Sequence, residues 1–246
     1  MADYKGIKGF KVQSLTSDPA ASQMAGGTWS AGGNLNTARR GAGGDGTQTA
    51  AFDVGGYTGS DSALNEQYDG SSWSEAADIN TARYSGAGIG TTAAAIYASG
   101  NSPTKNLTEQ WNGSAWSEVG DLNSGVNYRG GAGTSTAAIV AGGQPPASVN
   151  AESWNGTSWT EGANLNSARW GAPGIGTSTA TLVISGVDPG GTMDEVEQWN
   201  GTSWTEIADL NTARFGYLAA SGITTAALAF GGGGANAPAN FAQTES

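Results

Sequence analysis

Five tryptophans recur along this chain at an almost constant interval, and no other feature limits its fold as strongly. They are Trp29, Trp73, Trp116, Trp159 and Trp204, and successive members are separated by 44, 43, 43 and 45 residues. A fixed period of about 20–50 residues indicates a repeat architecture, in which each repeat is one supersecondary unit stacked against its neighbours. We therefore interpret the chain of 246 residues as five copies of one unit.

Each unit contains a β-hairpin signal and ends in an apolar strand. Trp204 follows Asn200-Gly201, and two short alternating runs joined by Asn-Gly predict a hairpin, because a type I′ turn needs positive φ at both central residues. The equivalent turns are Asp69-Gly70, Asn112-Gly113 and Asn155-Gly156. A loop, a Gly/Ala-rich run and an apolar strand that stops at glycine follow. Four short strands per period, with no helical periodicity, predict an all-β propeller built from blades.

The two ends of the chain supply complementary parts of one repeat. The sequence around Trp29 begins in the middle of a repeat, without the strand that precedes the other four tryptophans. At the other end of the chain, Thr244 and Glu245 match Thr108 and Glu109, which start that strand in the second repeat. We therefore expect a five-bladed β-propeller whose last blade is closed by the N-terminal strand around Trp29. Residues 1–22 form an N-terminal arm in this interpretation, and residues 23–246 form the propeller.

The arm differs from the repeats in its charge. Three lysines lie within its first eleven residues, whereas the whole chain has a formal net charge of −11. One interpretation is a frayed terminus. The other is an attachment segment that docks on an acidic surface through its cationic and apolar side chains. The residues that would dock are Lys5, Ile7, Lys8, Phe10 and Lys11.

An arginine falls ten residues after the repeat tryptophan in four of the five units. The four are Arg39, Arg83, Arg169 and Arg214. They fit either a framework group that bonds loop carbonyls or an acid of the next blade, or a ring of guanidinium groups near one channel mouth that binds an anion. In the third unit the position holds Val126, which leaves the ring incomplete.

The loops after the glycine pairs differ from blade to blade, while the hairpins barely change. A rigid scaffold that carries divergent loops is how binding surfaces are built, although drift in loops without a role gives the same pattern. Candidate ligand contacts on this loop face are Tyr57, Tyr84, Asn101, Trp170 and Asp188.

Several short segments of the sequence resemble known repeats. A strand that ends in paired glycines, a strand with an aromatic residue and a tryptophan five residues later resemble a kelch-type repeat. The phrases GTQTAAF (46–52), NGTSWTE (200–206) and DLNTAR (209–214), with the opening MADYKGIKGFKVQSLTSDP, resemble short kelch-like proteins of marine bacteriophages and marine metagenomes. The resemblance implies a virion structural protein of the head, neck or tail. It also implies that residues 1–22 attach to a capsid, neck or tail protein after assembly in the host cytoplasm.

Enzymatic function is not expected. The chain has no Cys and no His, which excludes disulfides, zinc thiolate sites and imidazole catalysis. Some kelch propellers bind copper and oxidise alcohols, but the copper site of that family needs His and Cys. We therefore expect no metal and no cofactor. There is no apolar run of 18 residues and no apolar core of a secretory signal, so a membrane is not an expected partner. A nucleic acid is not an expected partner either.

Two alternatives to the virion appendage remain open. One is a glycan-binding propeller with five similar inter-blade pockets, in which aromatic faces such as Trp170 or Tyr84 stack on sugars of a host surface. The other is a cellular kelch-type scaffold that binds a protein partner.

Overall fold

A computed structural model describes residues 31–101, 106–233 and 244–246, and for residues 215–217 it describes the backbone alone. From Gly33 onwards the described chain belongs to one compact unit. The five arm residues predicted to dock, Trp29 and the boundary between residues 22 and 23 lie outside the described residues.

The described residues form β-strands and no helix. In chain order the strands are β1 (Gly43–Thr47), β2 (Ala50–Val54), β3 (Asn65–Tyr68), β4 (Trp73–Ala76), β5 (Ala87–Gly90), β6 (Ala95–Ala98), β7 (Thr108–Trp111), β8 (Trp116–Glu118), β9 (Gly130–Thr134), β10 (Ala137–Ala141), β11 (Ala151–Trp154), β12 (Trp159–Glu161), β13 (Gly174–Thr177), β14 (Ala180–Ile184), β15 (Val187–Asp188), β16 (Gly191–Thr192), β17 (Val196–Trp199), β18 (Trp204–Glu206), β19 (Phe215–Ile223), β20 (Ala226–Gly233) and β21 (Thr244–Glu245). Over the ranges that the structure describes, no helix could cross a membrane.

These strands form five small antiparallel sheets arranged as a five-bladed β-propeller, which confirms the predicted fold. Four sheets have four strands each, in the orders β1-β2-β3-β4, β5-β6-β7-β8, β9-β10-β11-β12 and β13-β14-β17-β18. The fifth has the described strands β19-β20-β21, and β15 and β16 form a small extra hairpin in the fourth blade. The strand expected to complete the fifth blade, around Trp29, is outside the described part of the chain.

The innermost strands are rich in glycine because their backbones nearly touch. A Cβ atom added at Gly88 of β5 would lie 2.8 Å from the backbone of Gly43 in β1, and one added at Gly174 would lie 2.7 Å from the backbone of Gly131. Contacts below about 3 Å are not tolerated, so only glycine lets neighbouring blades approach this closely around the axis.

Tryptophan pairs fill the space between blades further from the axis. The rings of Trp154 and Trp159 lie 5.3 Å apart in the third blade. They belong to one buried cluster with Ile96 of the second blade. The pairs Trp111–Trp116 and Trp199–Trp204 repeat this arrangement. Burial of these rings provides much of the apolar area that holds each blade on the one before it.

Candidate functional site

A buried ion pair with its hydrogen bonds joins each blade to the next. The Arg83 guanidinium places Nη1 2.5 Å from Oε1 of Glu109 and donates hydrogen bonds to the carbonyls of Ser99 and Tyr97. The other carboxylate oxygen of Glu109 accepts from the backbone N–H of Asn80 at 2.7 Å. We call this Asn, Arg and Glu set the inter-blade latch, because Asn80 follows β4 of one blade and Glu109 lies on β7 of the next.

The latch occurs five times within the described residues. Its ion pairs are Arg39–Glu66, Arg83–Glu109, Arg129–Glu152, Arg169–Glu197 and Arg214–Glu245. In all five the guanidinium side chain has no exposed surface. The described ends of the chain thus form latches like those of the middle blades.

The third latch is completed from a different sequence position. Arg129, three residues after Val126, places Nη2 3.3 Å from Oε1 of Glu152 and also donates to Ser124. Its Nε and Nη1 are buried without a hydrogen-bond partner. Burial lowers the pKa of the Arg129 guanidinium, and the charge of Glu152 opposes that shift.

This geometry bears on the four arginines proposed for an anion ring. Arg39, Arg83, Arg169 and Arg214 are enclosed between blades and neutralised by carboxylates. A free anion would have to displace a buried carboxylate at each one. The contacts therefore favour the framework interpretation, and we do not carry the ring into the proposed function.

A cavity of about 510 Å³ opens at the axis where the chain enters the innermost strands. It receives side chains from all five blades, because each blade contributes the residues just before or within its first strand. The principal lining residues are Arg40, Tyr84, Ser85, Tyr128, Trp170 and Leu218. We call this cavity the axial mouth.

Aromatic rings of the axial mouth are held edge to face. Tyr57 and Tyr84 have ring centroids 5.3 Å apart with planes inclined at 61°, and Tyr128 and Trp170 have centroids 5.5 Å apart at 62°. Tyr84, Tyr128 and Trp170 are half-buried, so each keeps some surface in contact with solvent. The amide of Asn101 donates to the Tyr84 hydroxyl. These contacts restrict the rings before any ligand binds.

A chain of backbone hydrogen bonds forms the floor of the mouth. The N–H of Ser85 donates to the carbonyl of Gly41 at 2.6 Å, that of Tyr128 to Ser85 at 2.9 Å and that of Gly171 to Tyr128 at 2.9 Å. All four residues have φ between 58° and 67°. This left-handed conformation explains the two glycines and makes Ser85 and Tyr128 unusual, since side chains rarely adopt it. The Ser85 hydroxyl is buried without a hydrogen-bond partner.

The charge of the mouth differs from that of the chain. Among the described residues no acidic side chain lines it. Two arginines do: Arg129, which is paired with Glu152, and Arg40, which is exposed at the rim with Cζ 4.9 Å from the centre of the Tyr57 ring. Among the described basic residues, Arg40 alone forms no salt bridge. A second cavity of about 210 Å³ lies further along the innermost strands and is lined by glycines and Asp45. Desolvation raises the pKa of the Asp45 carboxyl, although Gly90 and Gly46 donate N–H bonds to it.

The structure places the five predicted loop-face residues in three ways. Tyr84 and Trp170 line the axial mouth, and Tyr57 and Asn101 support Tyr84 from behind. Asp188 does not line it, and its carboxylate instead accepts N–H bonds within the β15–β16 turn. The two stacking candidates, Trp170 and Tyr84, line the same axial cavity.

Arg40 and Tyr128 were missed as candidates. Each had a visible signal: Arg40 is a second arginine directly after the repeat arginine, and Tyr128 lies beside the irregular Val126. Neither signal says that the two side chains approach the same cavity. In the portion that the structure describes, no group of three or more acidic, His or Cys side chains is arranged to hold a metal ion. Comparison with protein-family models and with curated proteins finds no match to this chain.

Proposed function

We propose that the protein is a non-enzymatic structural protein of a bacteriophage virion, attached through residues 1–22 to a capsid, neck or tail protein, with the propeller projecting as a recognition module. The virion part of the proposal is supported by the resemblance of the sequence phrases given above. The recognition part is supported by one observation: the axial mouth combines half-buried aromatic rings with a free guanidinium on a rigid backbone.

The distribution of polar groups favours this site over the rest of the repeat. The blade-repeated Asn, Arg and Glu side chains bond one another between blades, so they hold the scaffold together. At the axial mouth, by contrast, the equivalent positions carry different residues in different blades. Ligand sites are concave, mostly apolar and equipped with a few placed polar groups, which describes this cavity.

Attachment is tested in the full chain by reversing the charge of the arm. The variant K5E/K8E/K11E should be lost from purified particles, because the arm would then repel an acidic docking surface. Lys105 is the one lysine outside the arm, so Lys105→Glu is the matched control and should be incorporated normally. Protein per particle is measured by quantitative mass spectrometry. Incorporation of the triple variant at the control level would contradict attachment through the arm.

A glycan-binding propeller is the second candidate, and the aromatic rings of the axial mouth favour it. Rings such as Tyr128 and Trp170 offer faces against which the C–H groups of a sugar can pack. The full-length protein should bind a subset of glycans on an array, and Trp170→Ala should lose that binding while circular dichroism stays unchanged. Uniform silence of the wild type across the array would remove this candidate and leave the cellular scaffold as the alternative recognition role.

A further inference from the structure

We infer that the axial mouth binds a carboxylated sugar, with Arg40 holding the carboxylate and the Tyr128–Trp170 pair packing against the sugar ring. This inference rests on the proposed glycan-binding role of the mouth and adds the chemical class of the ligand. The carrying observation is that three aromatic rings, one unpartnered hydroxyl and one guanidinium without a carboxylate partner converge on a cavity that no described acidic residue lines.

Arg40 is the group that points to an anion. The other described arginines are buried in salt bridges, whereas Arg40 is exposed and stacked on Tyr57. The chain carries a net charge of −11, so its overall field repels anions. The Arg40 guanidinium is therefore the described cation on which an anionic group gains a favourable contact without displacing a carboxylate.

A carboxylate fits this guanidinium better than a phosphate does. A guanidinium offers parallel N–H donors that match the two oxygens of a carboxylate. A phosphate carries more charge and is usually held by several cations or by backbone N–H groups at a helix N-terminus. In the mouth only Arg40 lacks a carboxylate partner, because Arg129, the other lining arginine, is paired with Glu152. The described chain has no helix.

The rest of the cavity fits a sugar ring. Its volume of about 510 Å³ accommodates one or two saccharide units. Tyr128 and Trp170 are fixed at 62° to each other, so they present a preformed corner. The buried Ser85 hydroxyl lacks a partner, and a sugar hydroxyl that bonds it would remove this unmet hydrogen-bonding capacity.

The test compares an acidic sugar with its uncharged ester on the full-length protein. Digalacturonate and its dimethyl ester have the same two sugar rings, but only digalacturonate carries charged carboxylates. Calorimetry at low salt should show that digalacturonate binds about tenfold more tightly, as expected for a charge-assisted hydrogen bond. Arg40→Gln should abolish this preference, and Arg40→Lys should retain part of it. Trp170→Ala should weaken the binding of both sugars.

The controls separate this inference from the proposals beneath it. Lys105→Gln removes one positive charge at another sequence position, and this variant should still prefer digalacturonate to the ester. Equal binding of acid and ester by the wild type, or a preference that survives Arg40→Gln, would overturn the carboxylate assignment while glycan binding stands. If the protein binds neither sugar, the carboxylate assignment is also overturned. If, in addition, the protein binds nothing on the glycan array, the glycan-binding role is removed. None of these binding results changes the outcome expected in the particle-incorporation test.

Discussion

At the residue scale, four of the five described inter-blade latches bury both charges, and in the fifth Glu245 is 14% exposed. Arg83 and Glu109 have almost no exposed side-chain surface, and each is surrounded by further hydrogen bonds. Such a pair is costly to desolvate and adds little net stability compared with an apolar pair, but removal of one partner leaves an uncompensated buried charge. The latches therefore specify how neighbouring blades align.

Substitution of one latch carboxylate should be strongly destabilising. Glu109→Gln keeps the size of the side chain but leaves Arg83 charged and buried, so we expect unfolding to become easier by about 3–5 kcal/mol. Urea denaturation measures this. Glu118→Gln is the matched control, because Glu118 is exposed on the neighbouring strand and should change stability by less than about 0.5 kcal/mol. Similar losses for the two variants would show that the latch has no special role.

The irregular third latch offers a rescue experiment. Val126 holds the backbone position of Arg83, since the next residue, Asn127, bridges Gln144 as Tyr84 bridges Asn101. Arg129→Gly should destabilise the protein because Glu152 then loses its cation. V126R/R129G should recover part of this loss, with a coupling of about 1–3 kcal/mol measured by urea denaturation. Val126→Arg alone should destabilise, because two guanidiniums would compete for Glu152. Strictly additive effects would contradict a shared site.

At the element scale, the blade hairpins are closed by one side-chain device. Oδ1 of Asp69 accepts N–H bonds from Ser71 at 2.8 Å and Ser72 at 2.9 Å. Asn112, Asn155 and Asn200 make the equivalent bonds in later blades. The glycine that follows has a positive φ in every case, 97° at Gly70. The Asp or Asn before that glycine does not have a positive φ, and Trp111 pairs with Trp116 across a loop of four residues. The hairpins therefore lie where the sequence predicts them, but the predicted type I′ turn is wrong, because the Asp or Asn side chain closes a longer loop.

Of these four described hairpin turns, only the first is closed by a carboxylate, Asp69, so its stability should depend on pH at acidic values. The N–H of Ser72, with bonds from Ser71, lowers the pKa of the Asp69 carboxyl to about 2, from 3.8. A lowered pKa stabilises the fold above pH 3.8, and this contribution is lost as the pH falls through about 2. NMR titration of the side-chain carboxyl should give a midpoint near 2. Asp69→Asn should retain the hairpin without this titration, as the later blades do. A midpoint near 4 would contradict the hydrogen bonding.

At the scale of the whole molecule, the seam between the fifth and first blades differs from the others. Leu228 is 44% exposed, whereas Ile96, at the equivalent place in the second blade, is fully buried. Tyr68 and Trp73 of the first blade are half-buried, while their counterparts in later blades are buried. Among the described residues, less apolar surface is therefore removed from water at this seam.

Equivalent tryptophans should consequently differ in their importance. Trp159→Ala removes a buried ring and its 2.9 Å hydrogen bond to Thr108, so we expect a loss of about 3–5 kcal/mol. Trp73→Ala is the same substitution at the half-buried counterpart and should cost about 1–2 kcal/mol less. Thermal and urea unfolding of the two variants provide the comparison. Equal losses would show that the seam is packed as tightly as the others.

The repeat period and the turn residues were sufficient to predict the all-β class, the five blades and the positions of the hairpins, but not the type of turn. These depend on interactions within about forty residues, and each copy of the repeat confirms the others. The match of Glu245 to Glu109 was also visible, because a latch residue keeps its place relative to the neighbouring strand. The Arg129 substitution for the missing arginine was not visible, since alignment by position does not show how far a side chain reaches.

The axial mouth was decided by the tertiary structure. Arg40, Tyr84, Tyr128 and Trp170 are each more than forty residues apart along the chain. Arg40, Tyr84 and Trp170 each directly follow a repeat arginine, but this shared position does not show that their side chains approach one cavity. Closing the ring of blades brings their backbones together at the axis, where the hydrogen bonds that join Gly41, Ser85, Tyr128 and Gly171 fix the floor of the mouth. Local periodicity determines a blade, but only packing of blades around a common axis determines which of their variable side chains share a cavity.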